Sequence, residues 1–368
     1  MKKFVCAALV LLCAFGGFRA RALSVSGEAA ALISGDTGEV LFEKNANSRM
    51  PMASTTKIMT ALLLCEHGEL DREIKVTEEM TRVEGSSMGL MPGDTVSLRA
   101  LLYGLLLASG NDAANTVAIV LGGSAAGFAE MMNNRAAELG LKDTHFVTPS
   151  GLDSEEHYTT ALELALLARE AMKNETFAAA AATPYEVVYY GNPPYKRGLK
   201  NHNRLLNEFD GAVGVKTGFT KRSGRCLVSA AKRDGKYVIA VTLNAPDDWN
   251  DHRSMLEYGL SVVRSVSLPP PQTDSVRCIG GSQNEVRLKS EAFSVTTAAE
   301  DGITVKLRLP RFVYAPVRAG EVIGTAEYYS GDKLIGSADI CCENAVSERE
   351  TAFFERFAAV FKDILANF

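Results

Sequence analysis

Several large protein classes are ruled out by what this sequence lacks. It has no run of basic residues, and its formal net charge is −5 with a pI of about 5.7, which argues against a nucleic-acid surface. Its five histidines (His67, His145, His157, His202 and His252) show no metal-ligand spacing, which argues against a zinc peptidase and implies no metal. Of the seven cysteines, Cys6 and Cys13 fall in an N-terminal leader. Cys65, Cys226, Cys278, Cys341 and Cys342 remain, an odd number at irregular intervals that forms no disulfide framework. The apolar run from Phe4 to Phe18 is somewhat short for a membrane-spanning helix.

That run has another reading. Lys2 and Lys3 precede it and Ala20-Arg21-Ala22 follows, the layout of a secretory signal peptide with processing expected after Ala22. Arg19 and Arg21 lie unusually close to the cut, so an uncleaved anchor is the alternative. Either way the body of the protein is expected outside the cytoplasm. Cys13 follows Leu12 rather than a small residue and is not read as a lipidation site. With 368 residues, 46% of them hydrophobic, the chain is long enough for one large domain and a smaller one.

The chemistry centres on Met52-Ala53-Ser54-Thr55-Thr56-Lys57-Ile58-Met59-Thr60. Ser54 and Lys57 are three residues apart, and the apolar residues that follow predict a buried helix ending at Gly68. Ser54 would open the helix and Lys57 would lie one turn on, on the same face. A serine hydroxyl needs a neighbouring base to become a nucleophile, and a lysine serves once burial or a second cation lowers its pKa. The helix start adds free N–H groups where an oxyanion would form. Ser-x-x-Lys is a common pattern, with roughly one or two chance matches expected in a chain of this length. Ser229/Lys232 and Ser330/Lys333 also fit it, but only Ser54 opens a long buried helix.

Two further stretches support Ser54. The apolar helical run from Leu98 to Val120 is broken by Ser109-Gly110-Asn111, a helix–helix corner whose side chains can face a cleft. Lys216-Thr217-Gly218 lies in a glycine-flanked run before two central strands, Arg225 to Ala231 and Lys236 to Leu243. Chance gives such a tripeptide in about one chain in ten of this length. The small residue after Thr217 lets a substrate backbone lie against the strand. Ala29 to Ile33 and Glu39 to Glu43 read as a hairpin, and Phe128 to Leu139 and Ala161 to Lys173 as helices.

In this order the three motifs resemble the penicillin-binding-protein and serine β-lactamase superfamily. The stretches Glu84 to Gly89, Leu101 to Ala114, Thr148 to Asp153, Asp210 to Thr220 and Leu256 to Leu260 are similar to the low-molecular-weight serine D-alanyl-D-alanine carboxypeptidases. The resemblance covers about residues 25–265. It implies an α+β transpeptidase fold: a helical subdomain on a five-stranded antiparallel sheet flanked by helices, with a small all-β domain after it. It further implies that Ser54 attacks the carbonyl of the penultimate D-alanine of a peptidoglycan stem peptide and that β-lactams acylate the same residue. Lys57 would take the proton, with its pKa lowered by burial and by Lys216. Ser109 would relay a proton among Lys57, Lys216 and the leaving amine, and Asn111 would hold Lys57 and the substrate amide. The N–H groups of Ser54 and Phe219 would form the oxyanion hole. Thr217 and Gly218 would line the substrate site, and Arg253 would grip the substrate carboxylate. No cofactor is implied. Phe219 stands where histidine is frequent in the family. A β-lactamase and a non-catalytic peptidoglycan-binding protein are the alternatives. The Gly110 in the second motif and the lack of a lactamase loop pattern around Asp153, Glu155 and Glu156 speak against the first, and the complete trio against the second.

The expected organisation is a leader (1–22), an enzyme domain (23–267) and a proline-rich linker (268–274). A small antiparallel β domain (275–345) and an amphipathic helix (346–368) follow. On that helix Phe353, Phe354, Phe357, Val360, Phe361, Ile364, Leu365 and Phe368 share one face, which suits the outer face of the cytoplasmic membrane.

Overall fold

The computed structural model describes residues 23–271, 275–298 and 302–349. The leader, residues 272–274 of the linker and the apolar face of the C-terminal helix lie outside them.

The hairpin β1 (Ala29–Ser34) and β2 (Val40–Lys44) leads to a 3-10 turn (Ala53–Thr56) and helix α1 (Lys57–His67), which ends at Gly68 with φ 77°. Strand β3 (Glu73–Lys75), the single turn α2 (Glu78–Thr81) and strand β4 (Thr95–Ser97) precede the apolar helices α3 (Leu98–Leu106) and α4 (Asn111–Gly122). The Ser97 hydroxyl caps α3 by accepting from the Ala100 N–H at 3.1 Å. Helices α5 (Ala125–Glu138), α6 (Ala161–Ala171) and α7 (Glu175–Ala181) follow. Next come the hairpin β5 (Tyr185–Gly191) and β6 (Pro194–Lys200) and the short α8 (Leu205–Glu208). The chain then returns as β7 (Ala212–Thr220), β8 (Gly224–Arg233) and β9 (Lys236–Leu243), covered by α9 (Asp248–Val262).

The main sheet has the antiparallel order β2-β1-β9-β8-β7, with β7 at an edge. Its central strands are apolar on both faces because both are covered. Ala31, Ile33, Val228 and Val241 pack towards α1, α3, α4 and α6. Ala30, Leu32, Leu227 and Val238 pack against Met255, Leu256 and Leu260 of α9. This two-sided burial explains why β1, β8 and β9 read as continuous apolar runs, and it leaves the edge strand β7 free to face the start of α1.

Beyond α9 the strands β10 (Arg264–Leu268), β11 (Ser275–Ile279), β12 (Glu285–Lys289), β13 (Phe293–Thr297), β14 (Ile303–Arg308), β15 (Phe312–Tyr314), β16 (Val322–Ser330) and β17 (Lys333–Cys342) build the second domain. Its core holds Val276, Val286, Tyr328, Ile335 and Ile340. Three expectations change here. Leu268 belongs not to a linker but to β10, which pairs with β13 and buries Leu268 in this core. The sheet is mixed rather than antiparallel, since β15 runs parallel to β11. Residues 346–349 do not start a helix: Val346 pairs with Val317 and Glu348 with Gly281, so their backbone groups are committed to the β domain. Between Lys173 and Gly211, where the sequence reading assigned nothing, β5 and β6 join β3 and β4 in a four-stranded sheet.

Candidate active site

Ser54 lies in the 3-10 turn before α1, a geometry in which residues three apart eclipse one another. The turn is tied by two hydroxyls: Thr55 Oγ1 donates to Met52 O at 2.6 Å and Thr56 Oγ1 to Ala53 O at 2.8 Å. Lys57 therefore stands directly beneath Ser54, with its side chain fully buried. Its Nζ is 2.9 Å from Ser54 Oγ, 2.7 Å from Asn111 Oδ1 and 2.8 Å from Ser150 O. The last two atoms can only accept. A neutral amine has two N–H bonds and one lone pair, so two fixed acceptors take both hydrogens and the lone pair is left for the Ser54 hydroxyl. Burial pushes the Lys57 pKa well down, the Lys216 charge pushes it further, and Asp112 opposes both.

The other motif residues converge on the same point. Ser109 turns the corner between α3 and α4 with φ 56°, a left-handed conformation uncommon for a residue with a side chain. Lys216 Nζ donates to Ser109 Oγ at 3.0 Å and to Thr217 O at 2.8 Å, and burial lowers its pKa to about 7. Asn111 Nδ2 donates to Glu84 O at 2.6 Å, which fixes which end of the amide meets Lys57. Gly218 brings β7 against the nucleophile, since a Cβ there would lie 2.9 Å from Ser54 N and 3.0 Å from Thr55 N. The resulting cleft of about 310 Å³ is lined by Ser54, Ser109, Thr217, Gly218 and Phe219.

Arg253 does not line it. It sits one turn beyond Trp249 on α9, and its guanidinium is held 3.2 Å from Glu208. Arg225, Asp248, Trp249 and His202 complete the cleft instead, and the sequence reading named none of them as a site residue. The surplus Ser-x-x-Lys matches are structural. Ser229 and Lys232 lie on β8, where residues three apart point to opposite faces, and Ser330 and Lys333 pair across the β16–β17 turn.

Three further residues support the site. Asp112 accepts from the N–H groups of Met88, Gly89 and Leu90 at 2.9–3.0 Å, and so pins the loop whose Glu84 carbonyl orients Asn111. His157 Nδ1 accepts from the Val147 N–H at 2.9 Å, so Nε2 carries the proton and donates to Thr56 Oγ1 at 2.7 Å. Gly151 follows the carbonyl that holds Lys57. At its φ of +88° an added Cβ would lie 1.8 Å from Ala53 O.

Residues 17–247 match the D-alanyl-D-alanine carboxypeptidase family. The chain belongs to that family. Residues 272–348 match the C-terminal domain of penicillin-binding protein 5. D-alanyl-D-alanine carboxypeptidase DacF of Bacillus subtilis is 36% identical over 89% of this chain and 87% of its own length. DacC of Escherichia coli is 32% identical over 88% of this chain and 85% of its own. Among solved structures, the Streptomyces K15 DD-transpeptidase is 33% identical with a TM-score of 0.62, over 65% of this chain and 98% of that one. Penicillin-binding protein 5 of Haemophilus influenzae has the same fold, with a TM-score of 0.66 over 88% of this chain and 98% of that one at 24% identity. In this chain Glu155 and Glu156 are exposed and do not line the cleft, while Asp153 accepts from Thr220 Oγ1 at 3.0 Å. The loop glutamate of a class A lactamase thus has no counterpart among them.

Proposed function

We propose that this chain removes the terminal D-alanine from peptidoglycan stem pentapeptides through an acyl-enzyme on Ser54, and that penicillins acylate the same oxygen. The observation that carries the reading is the Lys57 amine, whose Nζ lies within hydrogen-bond reach of Asn111 Oδ1, Ser150 O and Ser54 Oγ together; in its neutral form the first two take both hydrogens and leave the lone pair for Ser54. Ser54 Oγ attacks the penultimate D-alanine carbonyl and its proton passes to Lys57. The oxyanion rests on the N–H groups of Ser54 and Phe219; one such donor is typically worth about 2.7–4 kcal/mol. Ser109, bonded to Lys216, relays to the departing D-alanine amine the proton that Lys57 took from Ser54, so that Ser109 keeps its hydroxyl and Lys57 is neutral again. Water then hydrolyses the ester, with Lys57 again as base.

The leader and the amphipathic tail support an enzyme outside the cytoplasm and peripheral on the membrane. Among the described residues no helix is long and apolar enough to cross it. The test is D-alanine release from a pentapeptide, together with fluorescent-penicillin labelling of cell fractions for the parent, for Ser54→Ala and for a chain ending at residue 349, beyond the last β-domain pairing. Labelling and release are lost in Ser54→Ala, and the shortened chain moves to the soluble fraction. Labelling that survives Ser54→Ala overturns the nucleophile, and unchanged fractionation overturns the anchor.

A further inference from the structure

A carboxypeptidase substrate ends in a free carboxylate, and Arg253 is committed elsewhere. We propose that Arg225, positioned by Asp248 and Trp249, is the group that reads this carboxylate. The inference rests on the function proposed above.

Arg225 is the direct cross-strand partner of Phe219 in the β7–β8 pair, so the two side chains leave the same face of the sheet close together. That places the guanidinium just past the Lys216-Thr217-Gly218 strand, on the side of the cleft where a residue beyond the scissile bond would lie. Its Nε is 3.0 Å from Asp248 Oδ1, and Asp248 is 4% exposed while Arg225 is 43% exposed. One edge of the guanidinium thus lies in ion-pair contact with a buried carboxylate and the rest opens to the cleft. The Trp249 ring has the Arg225 Cζ 5.8 Å from its centroid and the Arg204 Cζ 5.1 Å from it, which limits the swing of the arm.

The other cations near the cleft fit the task less well. Lys216 is buried and spends two hydrogen bonds on Ser109 and Thr217. His202 lines the cleft, but partial burial and the Lys216 charge lower its basicity, so it is neutral at pH 7. Arg204 is paired with Glu208 at 3.2 Å. A guanidinium stays charged at every working pH and matches a carboxylate with two N–H groups.

The test compares an N-acylated D-alanyl-D-alanine peptide as the free acid and as the C-terminal carboxamide, for the parent, Arg225→Lys and the double variant Arg225→Gln/Asp248→Asn. The double variant avoids leaving Asp248 as an unpaired buried charge. The parent prefers the acid by about 10- to 100-fold in kcat/KM, the range of a charge-assisted contact. The preference falls towards one in the double variant, with the loss in KM for the acid, and Arg225→Lys keeps an intermediate ratio. Trp249 is the chain's only tryptophan, so its fluorescence reads peptide binding directly. A double variant that melts like the parent and keeps the full preference overturns the assignment to Arg225. A parent that releases D-alanine from neither peptide overturns the function itself.

Discussion

Asn111→Asp is the sharpest probe of the proposed base. The two side chains are nearly the same shape, so the acceptor 2.7 Å from Lys57 Nζ survives. What changes is charge, together with the loss of the Nδ2 donation to Glu84 O: a carboxylate replaces a neutral amide in a site where residue 111 is 5% exposed and Lys57 fully buried. An opposite charge at that range favours the protonated amine and raises its pKa by about 1–3 units. The parent needs the neutral amine, and burial and Lys216 push it towards that form. In the variant more of the enzyme carries an ammonium below the new pKa, so acylation slows there, by as much as about 10- to 1,000-fold at pH values below the parent's own pKa. The loss is recoverable: as pH rises through the new pKa the amine gives up its proton and the rate returns. The assay is the acylation rate by a fluorescent penicillin across pH 5–10. The acid limb of the variant should lie about 1–3 units above that of the parent. A drop of equal size at every pH would mean that residue 111 acts on geometry alone and would refute the claim that it tunes Lys57.

Gly151→Ala should cost both stability and acylation, because the new methyl would strike Ala53 O beside the nucleophile at a φ that disfavours side chains. A melting temperature within a degree of the parent would show that the loop can move aside. Two buried histidines should make the enzyme acid-sensitive. Burial lowers His157 to about 4 and His252 to about 3, against 6.5 for a solvated ring. Between pH 6.5 and 4 the unfolded chain therefore holds more protons, and stability falls with pH by about 1.4 kcal/mol per unit for each ring. Urea unfolding at several pH values checks the slope, and His157→Gln should reduce it.

What was legible in the sequence has a common physical character. Ser54, Lys57, Ser109, Asn111 and Lys216 each sit where a local pattern fixes a local geometry: a helix start, a helix–helix corner, a glycine-flanked edge strand. What was missed depends on groups without a sequence signature or on pairings across the fold. The carbonyls of Ser150 and Glu84 do as much for Lys57 as any side chain, yet any residue type supplies a carbonyl. Arg225 and Asp248 meet only because β8 and the first turn of α9 share one end of the sheet. Arg253 failed for the converse reason: it lies on the expected helix, but on a turn that Glu208 claims. The hairpin β5–β6 was open to reading, since Val188 and Tyr190 turn inward while Tyr185 and Tyr189 face outward. By contrast β10 was hidden by the proline run that follows it.

The two lysines explain why the site needs so much scaffolding. Lys216 at a pKa of about 7 instead of 10.5 implies that its charged form is disfavoured by the fold by about 5 kcal/mol, and Lys57 is disfavoured in the same sense. Ala53 and Ser109 add left-handed backbone at φ 47° and 56°, each costing about 1–3 kcal/mol. All of these costs fall within one shell around Ser54, and the compensation lies elsewhere, in a sheet whose central strands are apolar on both faces. Relaxing any one of them, by solvating a lysine or straightening the corner, would stabilise the protein and return the serine to an ordinary hydroxyl. The arrangement is thus better understood as stored strain held by a large core than as a set of favourable contacts.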